Sequence, residues 1–173
     1  MSGKHDDQYF AALGRMVDSF AHAEYAAFYF LMKRTGLDPT AAAAIFGALG
    51  ANATIDTIRR LYSNRSQPLP APLGSTLKQL EAITAARNAA LHHGTYTDAK
   101  GNMVASKWTV TFGKPLKEHS VSIANLDAMR EDLAAIMTIL MTENDDELAG
   151  LAGSASASRH YRAALESAWL YKS

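Results

Sequence analysis

Residues 75–94 read Ser75-Thr76-Leu77-Lys78-Gln79-Leu80-Glu81-Ala82-Ile83-Thr84-Ala85-Ala86-Arg87-Asn88-Ala89-Ala90-Leu91-His92-His93-Gly94. Leu77, Leu80, Thr84, Arg87 and Leu91 recur every three or four residues, the spacing of one helix face. Ser75 can cap the first free N–H groups, and Gly94 stands where a helix is expected to stop. The stretch therefore predicts a core helix, with one oddity: a guanidinium on its apolar stripe.

The same periodicity extends outward on both sides. A first helix is expected over about 7–34, with Phe10, Leu13, Val17, Phe20, Ala27 and Leu31 on one face and Gly36 as its stop. Asp38-Pro39 restarts the chain as cap and first turn of a short Ala-rich helix that ends near Gly50. Asn52 can cap a third helix carrying Ile55, Ile58, Leu61 and Tyr62. Pro68, Pro70, Pro72 and Gly74 mark residues 63–74 as a loop. Beyond Gly94 the pattern turns to Tyr96, Val104, Trp108, Val110, Phe112 and Val121 among Thr and Ser, with turns at Lys100-Gly101-Asn102 and Gly113-Lys114-Pro115. Two or three short, hairpin-like strands are expected over about 95–121. A fifth helix follows from about Ala124, with Leu126, Met129, Leu133, Ile136 and Leu140 on one face, ending near the acids Glu143, Asp145, Asp146 and Glu147.

The expected class is mainly α: an up-and-down bundle of four to five helices with a small β-hairpin insertion between the last two core helices. Residues 1–148 form the helical domain. Residues 149–158, all small apart from Leu151, read as a flexible linker, and a last helix is expected within 159–173 from Tyr161, Leu165, Ala168 and Trp169.

Composition narrows the function. At 173 residues and 48% hydrophobic content the chain can bury one real core. Seventeen basic residues balance seventeen acidic ones, so no global field favours tight non-specific nucleic-acid binding, although a local basic patch remains open. The absence of cysteine excludes disulfides and thiolate chemistry. The polar N-terminus and the lack of a long apolar run predict a cytoplasmic protein with no membrane partner. There is no Gly-rich phosphate loop, nucleophile elbow or dinucleotide fingerprint. His5, His22, His119 and His160 are scattered, so neither a metal nor another cofactor is expected.

Two charges fall on apolar stripes. Glu24 lies between Phe20 and Ala27 on the first helix, and Arg87 between Thr84 and Leu91 on the fourth. Charged residues are seldom buried without partners, so a shared ion pair or hydrogen-bond network is expected. That pair could simply staple two helices, or Glu24 could hold Arg87 for a phosphate.

Arg87-Asn88-Ala89-Ala90-Leu91-His92, followed by His93-Gly94-Thr95-Tyr96, resembles the Arg-polar-x-x-x-His signature of HEPN (higher eukaryotes and prokaryotes nucleotide-binding) domains and the His-Gly-x-aromatic ending of bacterial members. The resemblance spans roughly 7–142. It implies a bundle of four or five helices and a metal-independent endoribonuclease, often dimeric with motifs facing one another, in a toxin–antitoxin or phage-defence setting where an antitoxin or regulatory protein would be a partner. Arg87, Asn88, His92 and His93 are the implied catalytic residues, with Glu24 in support. His92 keeps the motif's gap and is favoured, while His93 keeps the His-Gly pair. The chemistry is sound, because RNA brings its own 2′-hydroxyl nucleophile. A histidine can move the proton, and an arginine can stabilise the phosphorane charge. Asn88 and His92, four apart, share a helix face, so Asn88 could orient the imidazole. Arg87 and His92, five apart, are about 140° around a helix and converge only through the long arginine, a distorted last turn or a second subunit.

Arg59, Arg60, Arg65 and Lys78 could face RNA, and Trp108 and Tyr96 could stack on bases. The plainer alternatives are a solvated face and aromatic side chains over a core. A second class of function also fits: a non-catalytic module that uses the same bundle to dimerise or to hold a nucleotide or partner.

Overall fold

The computed structural model describes residues 3–106, 118–142 and 168–173. The order is α1 (Gly3–Thr35), α2 (Pro39–Phe46), α3 (Ala51–Asn64), α4 (Ala71–His93), β1 (Thr95–Thr97), β2 (Met103–Ser106), β3 (Glu118–Ser120) and α5 (Ile123–Leu140). The chain is mainly helical with a small antiparallel sheet, as its periodicity predicts.

α1 packs chiefly on α5, while α4 packs on α5, α3 and the sheet. α1 is longer than expected, and its buried line runs through Tyr9, Ala12, Met16, Phe20, Ala23, Ala27 and Phe30. Phe10, expected in the core, is 64% exposed, and Tyr9 takes its place. The alanines explain the shift: small side chains let a neighbouring helix approach closely, so the burial line follows Ala12, Ala23 and Ala27 rather than the bulkiest residues.

Asp38 caps α2, its Oδ1 accepting from the N–H groups of Thr40 (2.9 Å) and Ala41 (3.1 Å). α2 ends at Phe46, short of Gly50. Asn52 is not the cap of α3. Gly50 holds that position without a side-chain bond, and Glu24 from α1 supplies the acceptor instead.

α4 begins four residues before Ser75, because Pro72 sits in its first turn, where the missing N–H costs nothing. Ser75 is therefore a buried side chain inside the helix rather than its cap. Gly94 ends α4 at φ +75°, a conformation that favours glycine.

The insertion is a three-stranded sheet ordered β1-β2-β3, pairing Tyr96 with Val104 and Ala105 with His119. Asp98 closes the β1–β2 turn: its Oδ1 accepts from the N–H groups of Lys100 and Asn102 (both 2.8 Å), and Gly101 takes φ +83°. The Asn102 side chain, hydrogen-bonded to Asp98, is the main cause that holds this carboxyl below the usual range. Trp108, Val110, Phe112 and the second turn lie outside the described residues.

Ser122 caps α5, with its Oγ accepting from Asn125 N–H at 3.3 Å. The acidic cluster 143–147, the linker 149–158 and most of the expected last helix also lie outside the described residues. The part of that helix that is described corrects the expectation, because Ala168–Ser173 contains no α-helix. The N–H groups of Leu170 and Tyr171 go to the Asp132 carboxylate.

Candidate functional site

Thr84, Arg87 and Asn88 on α4 face Phe20 and Glu24 on α1 and residues 50–53 at the start of α3. Together they line an open cleft of about 340 Å³. Arg87 is half-buried there. Its guanidinium carbon lies 5.0 Å from the centroid of the Phe20 ring, a cation–π stack. Its NH1 donates to Asn88 Oδ1 at 2.8 Å. Its Nε is buried and has no partner among the described residues. The group is thus oriented on one edge and unsatisfied on another, a poor arrangement for stability alone.

Glu24 lines the cleft, but it does not form the expected ion pair with Arg87. Its Oε1 accepts from Ala51 N–H at 3.2 Å. A carboxylate at a helix N-terminus satisfies an otherwise orphaned donor and meets the positive end of the helix dipole. This outcome explains why a charge is tolerated on the α1 stripe. Glu24 ties α1 to α3, and Arg87 relies on Asn88 and Phe20.

The cleft brings together Arg87, Asn88 and Glu24. It does not include the histidines: His92 is exposed, His93 is half-buried, and neither contributes to its lining. Asn88 Oδ1 is occupied by Arg87, so that oxygen orients the arginine rather than an imidazole.

The basic residues are distributed rather than gathered. Arg59 pairs with Glu81 at 2.8 Å and with Asp56 at 3.5 Å. Arg65 donates to the Arg34 carbonyl at 2.6 Å. Arg60 borders a pocket with Leu31 and Thr35, and Lys78 borders another beside Trp169. Tyr96, a candidate base stacker, donates its hydroxyl to Glu118 at 2.7 Å. Among the described residues no three His, Asp or Glu side chains are grouped to hold a metal ion, and no single helix is long and apolar enough to cross a membrane.

A second polar cluster was missed in the sequence. Asp132 on α5 is fully buried. Its Oδ1 accepts from Leu170 N–H (3.1 Å), and its Oδ2 accepts from Tyr171 N–H (2.9 Å) and Gln79 Nε2 (3.0 Å). Gln79 Nε2 also donates to the Tyr171 carbonyl at 2.9 Å, and Trp169 Nε1 donates to Ser75 Oγ at 2.8 Å. One signal was available: Asp132 lies between Met129 and Leu133 and Ile136, on the apolar face of α5. Its partners could not be foreseen, since they arrive from residues 38 and 39 positions away.

No family model matches the chain, and neither the curated proteins nor the solved structures contain a significant match.

Proposed function

We propose that this chain is an HEPN-like protein whose Arg87 cleft engages an RNA phosphate and which acts as a metal-independent endoribonuclease. The observation that supports this reading is the state of Arg87: held by Asn88, stacked on Phe20, open to a cleft, and with a buried Nε that has no partner among the described residues. A phosphate oxygen is the acceptor such a group lacks, and a guanidinium meets phosphate with paired, directional donors.

In the proposed reaction the 2′-hydroxyl attacks the adjacent phosphorus and loses its proton to a histidine. The P–O5′ bond breaks, and a protonated histidine returns a proton to the leaving 5′-oxygen. The products are a 2′,3′-cyclic phosphate and a free 5′-hydroxyl, and Arg87 offsets the charge that builds on the phosphorane oxygens. Because His92 and His93 lie outside the Arg87 cleft of their own chain, the histidine that works with Arg87 is assigned to a second copy, in a homodimer with facing motifs. A cytoplasmic toxin or defence setting, with an antitoxin or other regulatory protein as partner, belongs to the same proposal.

The test is cleavage of varied RNAs in the presence of a chelator. Parent protein should generate cyclic-phosphate ends, and Arg87→Ala/His92→Ala should not. Intact RNA with the parent, or equal cleavage by the double variant, would sink the nuclease reading. The separation of both histidines from the cleft favours one other reading, a non-catalytic nucleotide- or partner-binding module. It predicts Arg87-dependent nucleotide binding without cleavage.

A further inference from the structure

The Arg87 cleft does not end at Glu24. A second open pocket, of about 370 Å³, adjoins it there, lined chiefly by Glu24, Tyr25 and Phe28 of α1, Phe46 of α2, Leu49, and Thr54 of α3. Glu24 is common to both linings. Each volume is within the range of small-molecule sites, about 300–1,000 Å³.

The two pockets ask for opposite chemistry. Arg87 makes the first a seat for an anion. The second is walled by rings: Tyr25 is 63% exposed, and its ring centroid lies 6.3 Å from that of Phe28 at an interplanar angle of 34°. An open aromatic face at a pocket wall is a platform on which a flat ring can stack. Two polar groups stand among these rings. Glu24 accepts from Ala51 N–H through Oε1, which leaves most of the carboxylate's lone pairs without a donor among the described residues. Thr54 is buried, at 6% exposure, yet its hydroxyl makes no hydrogen bond among the described residues. Both are fixed by the first turn of α3, where Ala51 holds Glu24 and Thr54 follows three residues on. A buried hydroxyl without a partner costs the fold, and that cost is recovered when a ligand supplies an acceptor.

We infer, building on the reading that Arg87 holds a phosphate, that the second pocket receives a base of the same RNA or nucleotide and selects guanine. The Watson–Crick edge of guanine presents two donors, N1–H and N2–H, beside the O6 acceptor. The Glu24 carboxylate takes both donors, the Thr54 hydroxyl donates to O6, and the ring stacks on Tyr25. Adenine, cytosine and uracil each offer the carboxylate one donor position, flanked by a ring nitrogen or carbonyl whose lone pair faces a negative oxygen. The substrate class is therefore single-stranded RNA with an unstacked guanosine next to the engaged phosphate, since only an unpaired base exposes that edge. A carboxylate beside a phosphate site is otherwise unfavourable by like charge. Here it meets the base, while Arg87 meets the phosphate.

The test follows amide chemical shifts of the full chain, which read affinities into the millimolar range. The probes are inorganic phosphate and the 3′- and 5′-monophosphates of guanosine, inosine, adenosine, cytidine and uridine. Inosine is the sharpest control, because it lacks only the N2 amino group. The better guanosine isomer should bind about tenfold tighter than its inosine counterpart and than any other base, the worth of one hydrogen bond to a charged group. Glu24→Gln keeps an amide oxygen for Ala51 N–H. It should erase the guanosine–inosine difference while inorganic phosphate binds no weaker. Tyr25→Ala, a change at an exposed ring, should weaken guanosine monophosphate roughly tenfold. Equal binding of guanosine and inosine by the parent, or a guanosine preference that survives Glu24→Gln, overturns the inference. So does nucleotide binding no tighter than that of inorganic phosphate. If that phosphate binding is lost in Arg87→Ala, the guanine pocket falls and the Arg87 reading stands. No binding of any probe to the parent overturns both. Should Glu24→Gln lose its helical circular dichroism, the parent's guanosine–inosine ratio and Tyr25→Ala decide, and unchanged guanosine binding by Tyr25→Ala overturns the inference.

Discussion

Asp132 on α5 and Arg87 on α4 both place a charge on an apolar helix face, yet the two regions treat that charge in opposite ways. Asp132 is fully buried and receives hydrogen bonds from Gln79, Leu170 and Tyr171. Among the described residues Arg87 has a hydrogen bond to Asn88, an aromatic face, and a buried Nε without a partner. A closed network of this kind organises the fold around it. A half-satisfied charge at the wall of an open cleft is instead available to a ligand, and its cost to the free protein is recovered on binding. The two sites share α4, which carries Ser75 and Gln79 toward the tail and Arg87 and Asn88 toward the cleft.

The comparison breaks if the two charges respond alike to removal. The largest effect is expected at Asp132. Asp132→Ala removes the acceptor of one Gln79 amide N–H and of two backbone N–H groups in the interior, and it should lower unfolding free energy by roughly 3–5 kcal/mol in chemical denaturation. A loss under 1 kcal/mol would mean that the network contributes little. Arg87→Ala should act on function instead. RNA cleavage should fall about 100- to 1000-fold, the size seen when one transition-state donor is removed, while stability changes by less than about 1 kcal/mol. Arg87→Lys should not restore activity, since an ammonium cannot reproduce a bidentate, stacked group.

Tyr171 sharpens the contrast through pH. Burial pushes its hydroxyl up to about 12 from an ordinary value of 10.0. Between those values the unfolded chain releases a proton that the folded chain keeps. The tyrosine's contribution is therefore complete below pH 10 and is lost as pH rises toward 12, by on the order of 2–3 kcal/mol. Tyr171→Phe should flatten this alkaline loss in urea titrations and leave neutral-pH stability equal or slightly higher, because it removes an unpartnered hydroxyl. An unchanged alkaline slope would place the titration on other groups, Tyr9 first, whose hydroxyl burial also raises.

The smallest effect is expected at Glu24. Glu24→Ala removes the acceptor for Ala51 N–H and should cost about 1 kcal/mol, the usual value of a helix cap, as measured by thermal melting. If Glu24→Ala matched Arg87→Ala in lost activity, the carboxylate would serve the cleft as well as α3.

The Ser122 cap of α5 came only from the structure, while the sequence by itself determined the helices, the sheet insertion, the Asp38 cap, and the presence of Glu24 and Arg87 on buried faces. These follow from local chemistry: hydrophobic period, capping side chains, and the backbone freedom of Gly94 and Gly101. Its misreadings were also local. Pro72 suggested a loop where the first turn of α4 tolerates it, and Phe10 outweighed Tyr9 because periodicity does not tell which of two adjacent bulky residues a neighbour will cover. Only the tertiary structure decided what each charge meets. Glu24 found a helix N-terminus 27 residues away rather than Arg87. Asp132 found the backbone of a tail that the residue pattern assigned to a helix. Among the described residues Arg87 met no carboxylate, and both histidines fell outside its cleft. A charge on an apolar face announces that it needs a partner, but the partner is fixed by which elements pack together, and no local pattern in the chain encodes that.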